Sequence, residues 1–213
     1  MNTDDLVTML ATGPAAGIAN APKYRFVAAI GWGALGATLL MAILLGVRHD
    51  LADAVSRPMF WVKLGYVVSL AAAGLFALSR LARPGARVAG AAFGLAAPVL
   101  LMWLIAAIEL TAADPAELSD LVFGRTWASC PLLIATLSVP TFAAMAWATK
   151  GFAPTRLRLA GAALGLASGG IAAAVYSLHC PEMAAPFLGL WYLAGLLIPA
   201  ALGVLSGPLL LRW

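Results

Sequence analysis

Charge is scarce in this chain. Only 10% of its 213 residues are charged, 63% are hydrophobic, and the mean hydropathy is +0.96. A soluble domain carries about 25% charged residues, so the composition excludes an ordinary water-soluble globule and indicates a membrane protein. Alternation of apolar and polar residues is missing too. The apolar runs are continuous, which argues against a β-barrel and leaves helices that satisfy their own backbone in lipid. Enzyme motifs are absent: there is no GxSxG, HExxH, phosphate-binding loop, or GxGxxG in a sensible context. Cysteine occurs twice and never as a CxxC pair, so the strong redox or zinc spacing is lacking. No acidic or basic residue falls at the middle of any apolar run, which speaks against a transporter or proton pump.

What is present is a regular succession of long apolar runs. They cover about residues 26–47, 60–79, 88–110, 127–149, 159–178 and 186–211, each near the ~20 residues that cross a bilayer. The expected fold is an all-α bundle of six transmembrane helices, residues 26–213, preceded by a polar tail, residues 1–25. In the tail, Thr3 can cap a short helix with Asp4 and Asp5 in its first turn, where the helix dipole favours anions. Leu6, Val7 and Leu10 form an apolar stripe at helical spacing, and Gly13-Pro14 ends it. About ten residues make a marginal helix in water, so a partner is needed to order it. The lead-in is long and acidic, unlike the basic start of a cleavable signal peptide.

The net charge of +4 would suggest nucleic acid in a soluble protein. Here it marks loops. With the N-terminus inside, nine Lys and Arg residues lie inside and four outside. That bias places both termini in the cytoplasm and puts the ends of segments that carry the cysteines on the outer face. Cys130 opens segment four and Cys180 follows segment five, and each is followed by a proline. In a bacterium the outer compartment is the periplasm, where disulfides persist. Two such thiols could close a disulfide. They could bind a soft metal ion with His179 as third ligand and Met183 or His49 as weaker ones. They could climb the oxidation ladder. A structural disulfide, or two small side chains filling gaps, explains them equally well. Lys63 and Glu109 fall near the same ends of segments two and three, where they could pair beside the thiols or each snorkel to the interface. Gly90 and Gly94, then Gly161, Gly165 and Gly169, then Gly203 and Gly207, recur four apart, as close helix packing in lipid requires.

Several stretches then carry a resemblance. They are Thr3-Asp4-Asp5-Leu6, Arg48-His49-Asp50-Leu51, Phe60-Trp61-Val62-Lys63-Leu64 and Arg80-Leu81-Ala82-Arg83-Pro84-Gly85. They continue with Trp127-Ala128-Ser129-Cys130-Pro131, Ala153-Pro154-Thr155, Val175-Tyr176-Ser177-Leu178-His179-Cys180-Pro181-Glu182 and Leu190-Trp191-Tyr192. Over nearly its whole length the chain resembles the NrsF family, membrane proteins described as negative regulators of the extracytoplasmic-function sigma factor SigF. The resemblance implies an anti-sigma factor of the inner membrane, with no enzymatic activity and no direct contact with nucleic acid. Its cytoplasmic side would hold the sigma factor, with Asp4, Asp5, Leu6 and Leu10 as the contact. Cys130 and Cys180, with His179 beside them, would sense heavy metal or oxidative stress. No resident cofactor is implied, only a transiently bound soft heavy-metal ion. A small transporter, or a membrane thiol oxidoreductase using quinone, is the rival reading.

Overall fold

In the computed structural model the described residues are 2–12, 21–82, 89–152 and 154–212. Nine helices are formed among them: α1 (Thr3–Thr12), α2 (Ala21–Leu44), α3 (Leu51–Val55), α4 (Pro58–Leu81), α5 (Ala89–Ala112), α6 (Leu118–Phe123), α7 (Cys130–Thr149), α8 (Leu157–Tyr176) and α9 (Ala185–Leu210). No strand occurs among the described residues. Six of the helices, α2, α4, α5, α7, α8 and α9, are long and apolar enough to cross a membrane. Continuous apolar sequence dictates this, because a helix closes every backbone hydrogen bond within itself. Large apolar side chains such as Trp32, Ile43, Phe93, Leu132 and Leu209 point outward and are exposed, as they must be where the solvent is hydrocarbon.

Proline sets several boundaries. Pro58, Pro131 and Pro186 each occupy the first turn of a helix, where a missing N–H costs nothing. α7 therefore starts at Cys130, three residues later than the apolar run suggests, and Cys130 N–H closes a turn onto Thr126 C=O at 2.8 Å. α2 starts earlier than the run, at Ala21, so Arg25 lies inside the helix rather than before it. Its guanidinium stacks 3.6 Å from the Trp147 ring and donates to Trp147 C=O. α3 and α6, which lie in the polar loops, were not expected. α1 opens at Thr3 itself instead of being capped by it, and Asp5 N–H donates to Asn2 C=O. Asp4 and Asp5 are exposed. The side chains of Leu6 and Leu10, the Gly13-Pro14 turn, and Arg83 to Gly85 lie outside the described residues.

α8 is the most buried of the six long helices and packs on α9, α4, α7 and α2. Its glycines make this possible. A Cβ on Gly161 would strike Gly203 C=O, one on Gly165 would strike Pro199 C=O, and one on Gly170 would sit 2.8 Å from Ala71 Cα. The repeats on α8 and α9 therefore face each other, as their spacing predicts. Gly90 and Gly94 are looser: Gly94 would meet only Ala73 Cβ at 3.3 Å, and Gly90 only a Phe76 ring carbon at 3.7 Å. α2 lies against the proline of α7, with Gly33 over Thr141 and Gly36 over Pro140. Alternation of the six helices gathers the connections at 45–57, 113–129 and 177–184 at one end of the bundle. The helix ends at Leu81 and Ala89, and at Thr149 and Leu157, lie at the other.

Candidate functional site

The end that gathers residues 45–57, 113–129 and 177–184 carries both cysteines. α8 stops because Pro181 cannot continue it. Cys180 N–H and His179 N–H still donate to Tyr176 C=O, both at 2.9 Å, and the residue before a proline is then pushed out of helical geometry. The carbonyls of this turn are left without helical donors, so side chains from elsewhere supply them. Lys63 of α4 donates to Cys180 C=O and to Glu182 C=O, each at 3.0 Å. Arg48 donates a third hydrogen bond to Cys180 C=O at 3.2 Å, while its own N–H reaches Leu178 C=O at 3.1 Å.

The rest of the turn is clasped in the same way. Arg48 is oriented by Asp50 through two bonds, Nε to Oδ1 at 2.7 Å and Nη2 to Oδ2 at 2.6 Å. That hydrogen bond raises the pKa of Arg48 and holds the exposed Asp50 carboxyl at about 2, below the ordinary range. Glu182 Oε1 accepts from Arg125 N–H at 2.8 Å. It can do so because Gly124, at φ 53°, leaves its carboxylate room that a Cβ would take. His179 Nδ1 donates to the carbonyl of Gly46, another left-handed glycine, at 2.9 Å. Trp191 Nε1 ties α9 to Val122 C=O at 2.8 Å. It belongs to an aromatic group with Trp127 and Phe123, centroids 5.2 and 6.2 Å away.

Under this clasp lie Cys130 and Cys180. Both are free thiols with no exposed surface, and they interact with each other. Tyr176 and Tyr192, whose rings are 5.9 Å apart, close the pocket from the α8 and α9 sides. Tyr192 comes from a five-residue π-helical turn, Leu188–Tyr192, which rotates that ring inward while Trp191 faces the loops. The Tyr192 hydroxyl has no partner of good geometry, although it lies beside the Cys180 sulfur. The Cys130 thiol lowers the pKa of Cys180 below the ordinary thiol range, and Lys63 works in the same direction against the effect of burial. A thiol so placed is more nucleophilic at neutral pH than an ordinary buried one.

The structure thus brings Cys130 and Cys180 together. They are not open at the surface. Packing of α7, α8 and α9 seals them. Lys63 and Glu109 do not pair, and Lys63 does not snorkel: it is fully buried. Orphan carbonyls of a turn are the nearer acceptors for Lys63. Glu109 Oε2 instead accepts from Ala185 N–H at 2.8 Å, where the first turn of α9 offers free donors and a positive dipole end. His179 is half-buried and His49 exposed. No group of three His, Cys, Asp or Glu side chains able to hold a metal exists among the described residues. Residue-level reading missed Arg48, Glu182, Tyr176 and Tyr192 as parts of the site. All four sit in stretches that carried the family resemblance, and that was the available signal.

A family model described as negative regulator of sigma F, NrsF, matches residues 10–213. A protein of Azospira oryzae named probable anti-sigma-F factor NrsF is 60% identical over 213 residues, covering all of both chains. The anti-sigma-F factor NrsF of Caulobacter vibrioides is 40% identical over 219 residues, again covering both chains completely. No solved structure matches the chain significantly.

Proposed function

The chain belongs to the NrsF family of negative regulators of sigma F, and we propose that it is an anti-sigma factor of the bacterial inner membrane that releases its sigma factor when its two thiols are modified. Both termini face the cytoplasm in this reading. There the tail, through Asp4, Asp5, Leu6 and Leu10, contacts an extracytoplasmic-function sigma factor and keeps it from RNA polymerase. The cysteine end faces the periplasm. The names of two full-length relatives support the anti-sigma role, a regulatory rather than enzymatic one.

One observation carries the sensing half: two free thiols interact beneath a turn whose carbonyls are held by Arg48 and Lys63 from other elements and whose Glu182 is tied to the Arg125 amide. A purely structural pair of small side chains would not need such a clasp. An oxidant that joins the two sulfurs, or a soft metal ion that binds them as thiolates, must change the space they occupy. Two bundle arrangements then differ in stability between free and modified thiols, and a coupling of about 1–3 kcal/mol suffices to shift sigma-factor occupancy five- to 150-fold.

The test is capture of cytoplasmic partners by full-length protein and by protein lacking residues 1–23. A sigma factor retained by the first and lost from the second is the expected result; none in either sample defeats the proposal. C130S and C180S are then each expected to abolish induction of sigma-dependent genes by cadmium and by diamide. Undiminished induction removes the thiols from the mechanism.

A further inference from the structure

Lys63 is the one charged side chain among the described residues with no exposed surface. Lysine is almost never fully buried unless its nitrogen is compensated. Three carboxylates at the same end are committed elsewhere, Asp50 to Arg48, Glu109 to the Ala185 amide and Glu182 to the Arg125 amide, and Asp53, Asp114, Glu117 and Asp120 are exposed. Lys63 Nζ is held instead by Cys180 C=O and Glu182 C=O, each at 3.0 Å, with the Tyr192 ring centroid 4.9 Å away.

We propose that Lys63 is the positioning residue that couples the thiols to helix α4: its side chain straps the 180–182 turn to that helix, so that a change in the bulk of either sulfur is passed along α4 instead of being absorbed in the turn. This rests on the sensing reading above and names its first mechanical step.

Three observations support the assignment. Both sulfurs are sealed, so an added atom must displace a neighbour, and Cys180 is itself part of the turn that Lys63 holds. Arg48 grips the same carbonyl, but from a loop whose own backbone is bonded to the turn, whereas Lys63 grips it from a 24-residue helix. α4 has no slack against α8: a Cβ on Gly74 would sit 2.7 Å from Ala167 N, and Gly170 closes equally on Ala71. α4 runs from the thiols to Arg80 at the opposite end of the bundle, so a displacement at Lys63 reaches the loops that the proposed function places in the cytoplasm.

The experiment measures hydrogen exchange of the full chain in lipid nanodiscs before and after methyl methanethiosulfonate. Each thiol forms an S–S bond to the S-methyl group, methanesulfinate leaves, and intact mass confirms the adducts. In wild type, exchange is expected to rise in 178–184 and, by about threefold or more, in residues 58–66 at the start of α4. In K63M the turn is expected to exchange faster before the reagent, and 58–66 to respond no further. A wild-type turn that loosens while 58–66 stays unchanged overturns the strap, as does a K63M helix that responds like wild type. The wild-type comparison decides alone if K63M fails to accumulate. Sigma-factor release is read on the same samples: an α4 response without release counts against the sensing reading and leaves the strap standing.

Discussion

Two glycines decide how the cysteine end closes, and they differ in a way that separates backbone from contact. Gly46 has φ 74° with nothing within 4 Å of where a Cβ would be, whereas Gly124 has φ 53° with the Glu182 carboxyl carbon 2.8 Å away. G46A is therefore expected to cost about 1–2 kcal/mol, the price of a left-handed residue with a side chain. G124A adds the hydrogen bond from Arg125 N–H to Glu182, about 1 kcal/mol more. Thermal unfolding in one detergent should rank them in that order. G124A should speed labelling of the thiols by a small permeant maleimide more than G46A does, because it also displaces Glu182, one of the ties of the turn above them. Asp50 gives a pH dependence with a definite sign. Its folded pKa is depressed from 3.8 to about 2 by Arg48, so its contribution is present above the unfolded value and lost as pH falls through about 2. The protection factor of the Arg48 amide, bonded to Leu178 C=O, should be flat from about pH 8 to 5 and fall only below about pH 4. A fall already at about pH 6 would mean that another group holds the loop.

At the scale of elements the bundle is governed by where a side chain has no room. Replacing Gly161 or Gly203 by alanine drives a methyl group into the backbone of the facing helix, because α8 and α9 touch there. Overpacking of this kind costs about 1–3 kcal/mol. Gly31 and Gly65 have open space around them, so alanine there should be neutral or stabilising by up to about 1 kcal/mol. Unfolding of the four variants in the same micelle checks the contrast, and equal losses at all four would place the helix contact elsewhere. These glycines also show what the sequence makes legible. Continuous hydrophobicity and i, i+4 spacing depend on one segment at a time, so six helices and the α8–α9 face could be read directly. The fate of Lys63 could not. Its partners are main-chain carbonyls 117 and 119 residues away, and a carbonyl is present at every position, so it leaves no mark in the sequence. Glu109 is the mirror case, satisfied by a backbone N–H at the start of another helix. A search for an opposite charge misses both. Burial of the thiols was equally hidden: Cys130 sits at a helix edge, and only the closure of α8 and α9 over it removes it from solvent.

For the whole molecule, one question precedes every other: which end of the bundle faces which compartment. The thiols sit at one end, and Arg25, Arg80, Lys150 and Arg156 at the other. Lys and Arg prefer the cytoplasmic side of short loops, and that preference is the ground for the proposed outward cysteine end. The native sulfurs are poor reporters of this, because both are fully buried and an impermeant reagent will not reach them on either side. Exposed positions answer instead. Asp53 and Glu117 lie on the loops around the thiols, and Arg156 lies on the connection before α8, all exposed. In intact spheroplasts, D53C and E117C are expected to react with an impermeant maleimide within minutes, while R156C reacts only after lysis. The opposite pattern would put the thiols in the cytoplasm beside the sigma factor. A periplasmic signal would then have no route to them, since the site would meet only the reducing pools of the cell interior, where thiols are kept free. The clasped turn and its tie to α4 would survive such an inversion, being properties of the fold. The assignment of stress sensing across the membrane would not.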